Sequence, residues 1–341
     1  MLTIDGSGLD KHGRILWLAL SVSSLSRIPF RMERIRISQN PPGLLPEHLP
    51  FIHAFEVLMN AEVKGAHLQS TELVFEPHSL RRGHLEIALG KGHPITPFVL
   101  ATMPVLLRTL APLSLSITGA THHPSFPCIE SVAGSFIPLL LQAGARIECE
   151  VAELGFAPHG EGRLKLQVEP STLGYVEIEE RGKLKRRMVQ SLGAGLPPGV
   201  GDRCLRLAKQ RLALSRNESE RIEVAESAGS GHALVIKLDF EHIHAVFTGY
   251  SERGSSHETA SERAIGRALH YLESEGAIPQ ELAPFFLLII ISAQGGSFTT
   301  SEPDATLNDM LECIKWFLKE SISANTFDER KWTISVHHAL I

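Results

Sequence analysis

The sequence predicts a mixed α/β fold of the α+β kind, with three βαβαββ-type repeats in one main domain and a small α/β domain inserted into the third repeat. One order of apolar patterns recurs along the chain, which is typical of an internal repeat. The recurrence is interrupted between residues 182 and 277 and then resumes. We therefore predict a main domain of residues 1–182 with 277–341, and an inserted domain of residues 183–276.

The elements of the first two repeats follow from the spacing of their apolar residues. Residues 30–37 alternate apolar and charged side chains like a strand with one solvent-exposed face, whereas residues 15–25 carry apolar side chains at helical spacing. The first repeat is predicted as a strand from residue 2, a helix at 15–25, a strand at 30–37, a helix at 45–61 and strands at 63–69 and 72–76. The second is predicted as a strand at 84–89, a helix at 96–110, a strand at 113–119, a helix at 129–143 and strands at 145–151 and 163–168.

The third repeat begins with an alternating strand at Tyr175 and resumes at Ala277. After the interruption we predict a helix at 281–293, a strand at 297–300, a helix at 307–320 and a strand at 331–337. The inserted segment is predicted as a strand, a helix at 202–214, strands at 222–227, 233–238 and 244–250, and a helix at 258–274. That order suffices for a small α/β domain.

Composition and charge exclude several classes of protein. With 43% hydrophobic and 21% charged residues, the chain is neither disordered nor collagen-like. A net charge of −5 indicates no strongly basic surface, so nucleic-acid contact requires a local basic patch. The longest apolar run, residues 285–291, is too short to span a bilayer.

The four cysteines are scattered and form no CxxC pair, which argues against a disulfide framework and a thiolate zinc site. This usage fits a reducing compartment, so we predict a cytoplasmic protein. His242 and His244 share one face of a predicted strand, but an exposed strand explains them better than a metal does. The sequence therefore predicts no metal site.

Two short motifs allow a phosphate contact as well as a purely structural explanation. The turn at residues 6–13 precedes a helix, where backbone N–H groups can meet an anion, although it is neither a Walker A nor a GxGxxG motif. The basic run at residues 183–187 is either a solvated strand end or a phosphate-contacting patch.

The chain resembles the RNA 3′-terminal phosphate cyclases over nearly its full length. The matching stretches, in the order of the family, are Ile4-Asp-Gly6, Pro29-Phe30, Arg34-Ile-Arg36, Pro42-Gly-Leu44, His48-Leu49, Gly65-Ala66, 73–77, 119–127 (GATHHPSFP), 155–160 with Gly162, Glu180-Arg-Gly182, 194–197 and 298–303. The resemblance implies the three-repeat fold with an insert, an RNA substrate, and ATP with Mg²⁺ as cofactors.

In this family a histidine attacks the α-phosphate of ATP, and the adenylate passes to the RNA 3′-phosphate. The neighbouring 2′-hydroxyl then closes the 2′,3′-cyclic phosphate and expels AMP. This covalent route needs a nucleophilic imidazole, and it needs donors that offset the phosphate charge.

The chain departs from the family at those positions. Thr306 occupies the place of the nucleophile, and a hydroxyl cannot replace an imidazole there. The other departures are Asp10, His12, Arg14 and Trp17 in the first turn and helix, Leu100 and Phe285 for two glutamines, His122 for an aspartate, and Gln39, Pro41 and Pro46 for basic residues. No catalytic residue is therefore assigned, although His12 and His257 offer replacement imidazoles.

Two hypotheses remain open. The chain is either a non-catalytic member that binds RNA ends or an RNA-processing protein, which we favour, or an active ATP-dependent cyclase. The nucleotide candidates are Asp10, Gly13 and Arg14. The RNA-contacting candidates are Arg34, Arg36, His48, Lys183 and Arg186. We expect phosphate or sulfate to bind near residues 8–13, and ATP to bind no more tightly than at millimolar concentration.

Overall fold

The computed structural model describes residues 1–9, 12–224, 229–252, 254–318, 322–328 and 330–337, and it confirms the predicted mixed α/β fold class. The described strands form four sheets of four strands each. Three of these sheets share one topology. Within the described residues, no helix is both long and apolar enough to cross a membrane.

The first repeat has a sheet with the order β1-β2-β4-β3. Its elements are β1 (Leu2–Asp5), α1 (Arg14–Ser26), β2 (Phe30–Glu33), α2 (Leu49–Met59), β3 (Glu62–Lys64) and β4 (Leu73–Glu76). Strands β1 and β2 run parallel, whereas β4 runs antiparallel to both of its neighbours. The parallel pair requires a crossover connection, and α1 is that connection.

The second repeat reproduces this arrangement with the order β5-β6-β8-β7. Its elements are β5 (Gly83–Ala88), α3 (Ile95–Leu106), β6 (Leu113–Gly119), α4 (Ile129–Ser131), a π-helical turn (Val132–Phe136), α5 (Ile137–Gln142), β7 (Arg146–Glu153) and β8 (Gly162–Glu169). The helix predicted at 129–143 is thus interrupted by one wide turn.

The third repeat has the order β9-β14-β16-β15 and contains the interruption between its first strand and its first helix. Its elements are β9 (Val176–Ile178), α8 (Ala283–Ser292), β14 (Gly296–Thr300), α9 (Ala305–Leu318), β15 (Ser323–Asp328) and β16 (Lys331–Val336). The sequence prediction omitted β15, because residues 323–328 lack the apolar alternation that marks a strand.

The interrupting segment builds the fourth sheet, β11-β10-β12-β13. Its elements are β10 (Leu184–Ala194), α6 (Val200–Arg211), a 3₁₀ turn (Arg216–Glu218), β11 (Ser219–Glu223), β12 (Gly231–Phe240), β13 (His244–Glu252) and α7 (His257–Glu273). Its core, which includes Val189, Ile236, Phe247 and Ile265, is a cluster distinct from the core of the three repeats. The domain boundaries at residues 183 and 276 remain a prediction.

The first helices of the repeats pack at the centre of the molecule. Helix α1 contacts α3 and α9, and α3 contacts α8. Helix α8 is apolar on nearly every side and is buried almost throughout, as a helix enclosed by others must be. This packing brings the beginnings of four helices, α1, α3, α8 and α9, from the three repeats close together.

Strand β2 is shorter than the prediction of residues 30–37. Arg34 and Arg36 have φ values of 58° and 49°, in the left-handed region that a strand cannot contain. Alternation of charged and apolar residues continues past Glu33, so the periodicity carried no sign of this turn. The chain leaves the sheet there and enters the loop that leads to α2.

Candidate functional site

A cavity of about 250 Å³ lies where the N-terminal halves of α1, α3, α8 and α9 meet. Its lining contains the departures from the family that lie on these helices, namely Arg14, Trp17, Leu100, Phe285 and Thr306. Nearly 300 residues separate the first from the last of them in the chain. Helix packing therefore brings into one site positions that the family resemblance had identified one by one along the sequence.

Thr306 lies in the first turn of α9, beside the residue that caps the helix. Oδ1 of Asp304 accepts a hydrogen bond of 2.8 Å from the backbone N–H of Leu307. Burial raises the pKa of Asp304 against the lowering effect of its backbone donors at Leu307 and Thr306. The start of α9 is thus already occupied by a carboxylate, which competes with any phosphate for the helix dipole.

Aromatic and aliphatic side chains form the inner wall of the cavity. The rings of Trp17 and Phe285 stack with centroids 5.6 Å apart and planes 12° apart. Leu100 is 1% exposed and adds an aliphatic surface. Among the described residues, Nε1 of Trp17 has no hydrogen-bond partner. This wall favours a flat apolar group over a phosphate.

The charges around the cavity do not favour a polyanion. Nε of Arg14 donates to Oδ2 of Asp309 at 2.7 Å. Glu281 lines the cavity as well, and burial raises its pKa against the opposing effect of Arg267. The lining thus offers one arginine that is already paired, together with two carboxyl groups, Glu281 and Asp304. This set does not fit a nucleoside triphosphate, which needs several converging donors.

Of the two replacement imidazoles, the structure brings one to the cavity. His12 is in its lining, with its ring edge-on to Phe126 at 5.8 Å. His123 lies beside the same phenylalanine, and burial, with smaller contributions from His12 and His93, lowers its pKa to about 4. His257 instead begins α7 in the inserted segment, where its Nδ1 lies 2.5 Å from Oγ of Ser251.

The nucleotide candidates at the start of α1 have a structural explanation. Gly13 is the N-cap residue with φ 71°, and a Cβ there would lie 2.9 Å from Cδ2 of His48. Glycine is therefore required by backbone conformation and by the neighbouring ring. Arg14 reaches the cavity, as described above, whereas Asp10 lies outside the described residues.

The RNA-contacting candidates separate into buried and exposed residues. Arg36 and His48 are 5% and 2% exposed, and Nδ1 of His48 accepts a hydrogen bond of 3.1 Å from the N–H of Leu45. Arg34 is exposed but pairs with Asp5 at 3.3 Å. Lys183 and Arg186 are exposed at the start of the inserted segment. Burial places Arg36 and His48 within the scaffold, and the RNA contacts of the whole set remain a prediction.

A second cavity, of about 310 Å³, is lined by four arginines, which sequence reasoning did not bring together. They are Arg27, Arg81, Arg82 and Arg108, and no carboxylate is among the residues that line this cavity. Arg27 follows α1 and Arg108 lies just beyond α3, at the ends of these helices away from the first cavity. Only the pair at 81–82 forms a local basic motif, so the sequence contains little sign of the cluster.

Comparison with known proteins agrees with the resemblance read from the sequence. The family model described as RNA 3′-terminal phosphate cyclase matches residues 9–324. A protein of that name from Pseudomonas fluorescens is 34% identical over 334 residues, which cover 98% of each chain. Another from Pseudomonas aeruginosa is 35% identical over 328 residues, covering 96% of each.

Among solved structures, the EPSP synthase from Acinetobacter baumannii superposes with a TM-score of 0.33 at 11% identity, over 98% of this chain and 82% of that chain. A score this low supports no conclusion about either fold or function. The family model, by contrast, matches nearly the whole chain, and the relative from Pseudomonas fluorescens is 34% identical over nearly its full length. The chain therefore belongs to the RNA 3′-terminal phosphate cyclase family.

Proposed function

We propose that this chain is a non-catalytic member of its family that binds RNA. The observation that supports the proposal is the lining of the cavity at the start of α9, where Thr306 stands at the position for which the resemblance implies a histidine and where the one arginine, Arg14, is paired with Asp309. A threonine hydroxyl is a weak nucleophile unless a positioned base removes its proton. The four free cysteines support a reducing, cytoplasmic setting.

The apolar wall of the cavity argues against tight ATP binding. Leu100 and Phe285 replace two amide side chains, and each lost donor typically costs about 1–3 kcal/mol when a polar ligand atom stays unpaired. Two such losses weaken affinity by roughly 30-fold to 10⁴-fold if they add. Calorimetry with ATP and Mg²⁺ is expected to give a dissociation constant in the millimolar range or weaker, and a micromolar constant would contradict the proposal.

The arginine-lined cavity supports RNA as the partner. Four guanidinium groups around about 310 Å³ provide fork-shaped donors that match phosphate oxygens. Ser79 and Thr109 line the same cavity. Because the net charge of the chain is −5, RNA binding needs a local basic cluster, and this cavity has four arginines and no carboxylate in its lining. We propose that single-stranded RNA contacts this surface.

Charge reversal on two surfaces tests where RNA binds. Binding of a short 3′-phosphorylated RNA is followed by fluorescence anisotropy for Arg81→Glu with Arg108→Glu, and for Lys64→Glu with Lys91→Glu, two exposed lysines that do not line this cavity, as a control of equal charge change. The first pair is expected to weaken binding at least tenfold and to reduce the slope of log K against log salt by roughly 0.7 per lost phosphate contact. An equal loss from both pairs would show a nonspecific charge effect and contradict the assignment.

Active cyclisation is the alternative function, and the names of the curated relatives favour it. In that case His12, the imidazole in the cavity lining, is the candidate nucleophile. Incubation with α-labelled ATP and Mg²⁺ distinguishes the two, since an acid-labile protein–AMP adduct that His12→Ala abolishes would establish the catalytic function. No adduct together with no RNA binding would leave a protein partner as the ligand.

A further inference from the structure

The side chains of His122, Cys128 and Glu130 come close together between the loop that follows β6 and the start of α4. His122 lies in that loop, Cys128 directly precedes α4, and Glu130 lies in the first turn of α4. One ligand atom from each lies within 4.8 Å of the other two, and His122 and Cys128 are 0% and 1% exposed. Imidazole nitrogen, thiolate sulfur and carboxylate oxygen are the three donor types that Zn²⁺ takes in proteins.

His122 and Glu130 form a close ion pair that falls outside the geometry of a well-aligned hydrogen bond. Nε2 of His122 lies 3.2 Å from Oε1 of Glu130. Even so, among the described residues neither Nε2 of His122 nor Oε2 of Glu130 has a hydrogen-bond partner, although both atoms are buried. Such atoms are nearly always satisfied in folded proteins. Two ligands at about 2.0–2.1 Å from one tetrahedral ion are themselves separated by roughly 3.3 Å, which is the separation seen here.

The surroundings orient the imidazole toward the other two side chains. Oγ1 of Thr121 lies 2.8 Å from Nδ1 of His122, and the same oxygen accepts a hydrogen bond of 2.9 Å from the N–H of Gly155. The ring of Phe156 packs edge-on at 4.5 Å. A ligating histidine in proteins is held in this way, with its second nitrogen engaged by a fixed partner and an apolar ring beside it.

We propose that His122, Cys128 and Glu130 bind one zinc-type divalent ion, with water as the fourth ligand. Binding transfers the thiol proton of Cys128 to solvent, so the thiolate and the carboxylate balance the two charges of the ion while the imidazole stays neutral. This differs from the sequence expectation of no metal site, because the ligands form no CxxC or paired-histidine pattern.

The ion would strengthen the junction between the second repeat and the inserted segment. The N–H of Cys128 donates to Oγ1 of Thr248 on β13 at 2.9 Å. Oγ of Ser131 donates to the carbonyl of Val246 on the same strand at 3.2 Å. Two of the three ligands, Cys128 and Glu130, therefore lie within the segment, residues 128–131, that attaches to β13.

Cobalt titration of the full-length, chelator-treated protein tests the proposal. One equivalent of Co²⁺ is expected to produce a thiolate-to-cobalt charge-transfer band, which Zn²⁺ then removes by displacement. Cys128→Ser should abolish the band, whereas Cys313→Ser, a control at another buried cysteine, should retain it. Thr121→Val keeps all three ligands and should weaken Co²⁺ affinity about 10–100-fold, as loss of an orienting partner does.

Two results would overturn the proposal. The first is wild-type protein that binds no Co²⁺ or Zn²⁺ in equilibrium dialysis, which would leave the three side chains as a buried ion pair beside a neutral thiol. The second is a band that persists in Cys128→Ser. If that variant fails to fold, the isosteric variant Glu130→Gln replaces it in the test. We expect Glu130→Gln to lose the binding of one equivalent of metal and the Zn²⁺-dependent rise in melting temperature, and retention of both would overturn the proposal.

Discussion

Thr306 is one of several departures from the family that line the same cavity. It follows Asp304 by two residues, and the carboxylate of Asp304 caps α9. Across the cavity, Trp17 stacks on Phe285 where the family resemblance implies an arginine and a glutamine. The positions at which the resemblance implies a histidine, an arginine and glutamines therefore lie together in one cavity.

Restoring the imidazole alone is expected not to restore the reaction. In Thr306→His the ring enters a cavity that still holds Trp17, Leu100 and Phe285, and Arg14 still pairs with Asp309. The lining then offers one arginine, already paired, to offset the charge that develops on the phosphates. We expect no protein–AMP adduct from α-labelled ATP and no cyclised end on a 3′-phosphorylated RNA. Turnover by this single variant would show that the cavity had remained competent.

A buried histidine predicts an acid-sensitive inserted segment. His232 is 0% exposed with its Nε2 2.9 Å from Oγ of Ser191, and burial, with a smaller effect of His257, lowers its pKa to about 4. The unfolded chain takes up this proton near pH 6.5, but the folded chain does so only near its own pKa. The free energy of unfolding therefore falls as pH decreases between these values, by roughly 3 kcal/mol in total.

Denaturant unfolding at pH 7 and pH 4.5 measures this loss. His232→Gln removes the titrating group and should lose less stability on acidification than the wild type does. His244→Gln, at a half-exposed position on β13, is the matched control and should behave like the wild type. Equal pH dependence of all three proteins would contradict the assignment to His232.

At the scale of elements, the beginnings of helices set the properties of the first cavity. Helices α1 and α9 start there with different caps. Gly13 begins α1 with a left-handed backbone conformation and no side-chain hydrogen bond, whereas the carboxylate of Asp304 accepts a backbone hydrogen bond at the start of α9. An acidic cap satisfies a backbone N–H group and favours the helix dipole. The same charge repels a phosphate, so stability of α9 and anion binding are opposed at this position.

Substitutions of Asp304 separate the cap from the charge. Asp304→Asn keeps a side-chain oxygen for the N–H of Leu307 and removes a carboxylate whose pKa burial raises, so we expect unfolding free energy within about 0.5 kcal/mol of the wild type. Asp304→Ala removes the acceptor and should cost about 1 kcal/mol. Denaturant melts of the two variants provide the measurement, and an equal loss in both would assign the role to charge instead.

At the scale of the molecule, the inserted segment has a sheet and an apolar core of its own. Ile236 is fully buried in that core, and Ile289 is fully buried in the core of the three repeats. The two clusters share no residue, although a third buried cluster, which includes Phe156 and Val235, joins the second repeat to the inserted segment. Because a core of its own stabilises it, we expect the inserted segment to open as a separate cooperative unit, as contiguous units with their own core do.

Hydrogen exchange of two core variants tests this expectation. Ile236→Ala should cost about 2–5 kcal/mol within its unit and accelerate amide exchange in β10, β12 and β13. Exchange in β6 and β14 should remain close to that of the wild type. Ile289→Ala is the matched control with the opposite pattern, and acceleration throughout the molecule in both variants would show a single cooperative unit.

The sequence by itself determined the fold class and the order of most elements. These features follow from local periodicity, which the backbone imposes on residues near each other in the chain. The same local signal failed at β2, whose end depends on two arginines with positive φ, and at β15, which has no apolar alternation.

Only the tertiary structure decided which chemical groups share a site. Arg14, Leu100, Phe285 and Thr306 come from three repeats and become neighbours because their helices pack at the centre. The arginines at 27, 81, 82 and 108 and the set formed by His122, Cys128 and Glu130 likewise depend on packing and on the path of loops. The tertiary structure also decided that Arg36 and His48 are buried, because exposure depends on how the chain packs and not on residue type alone.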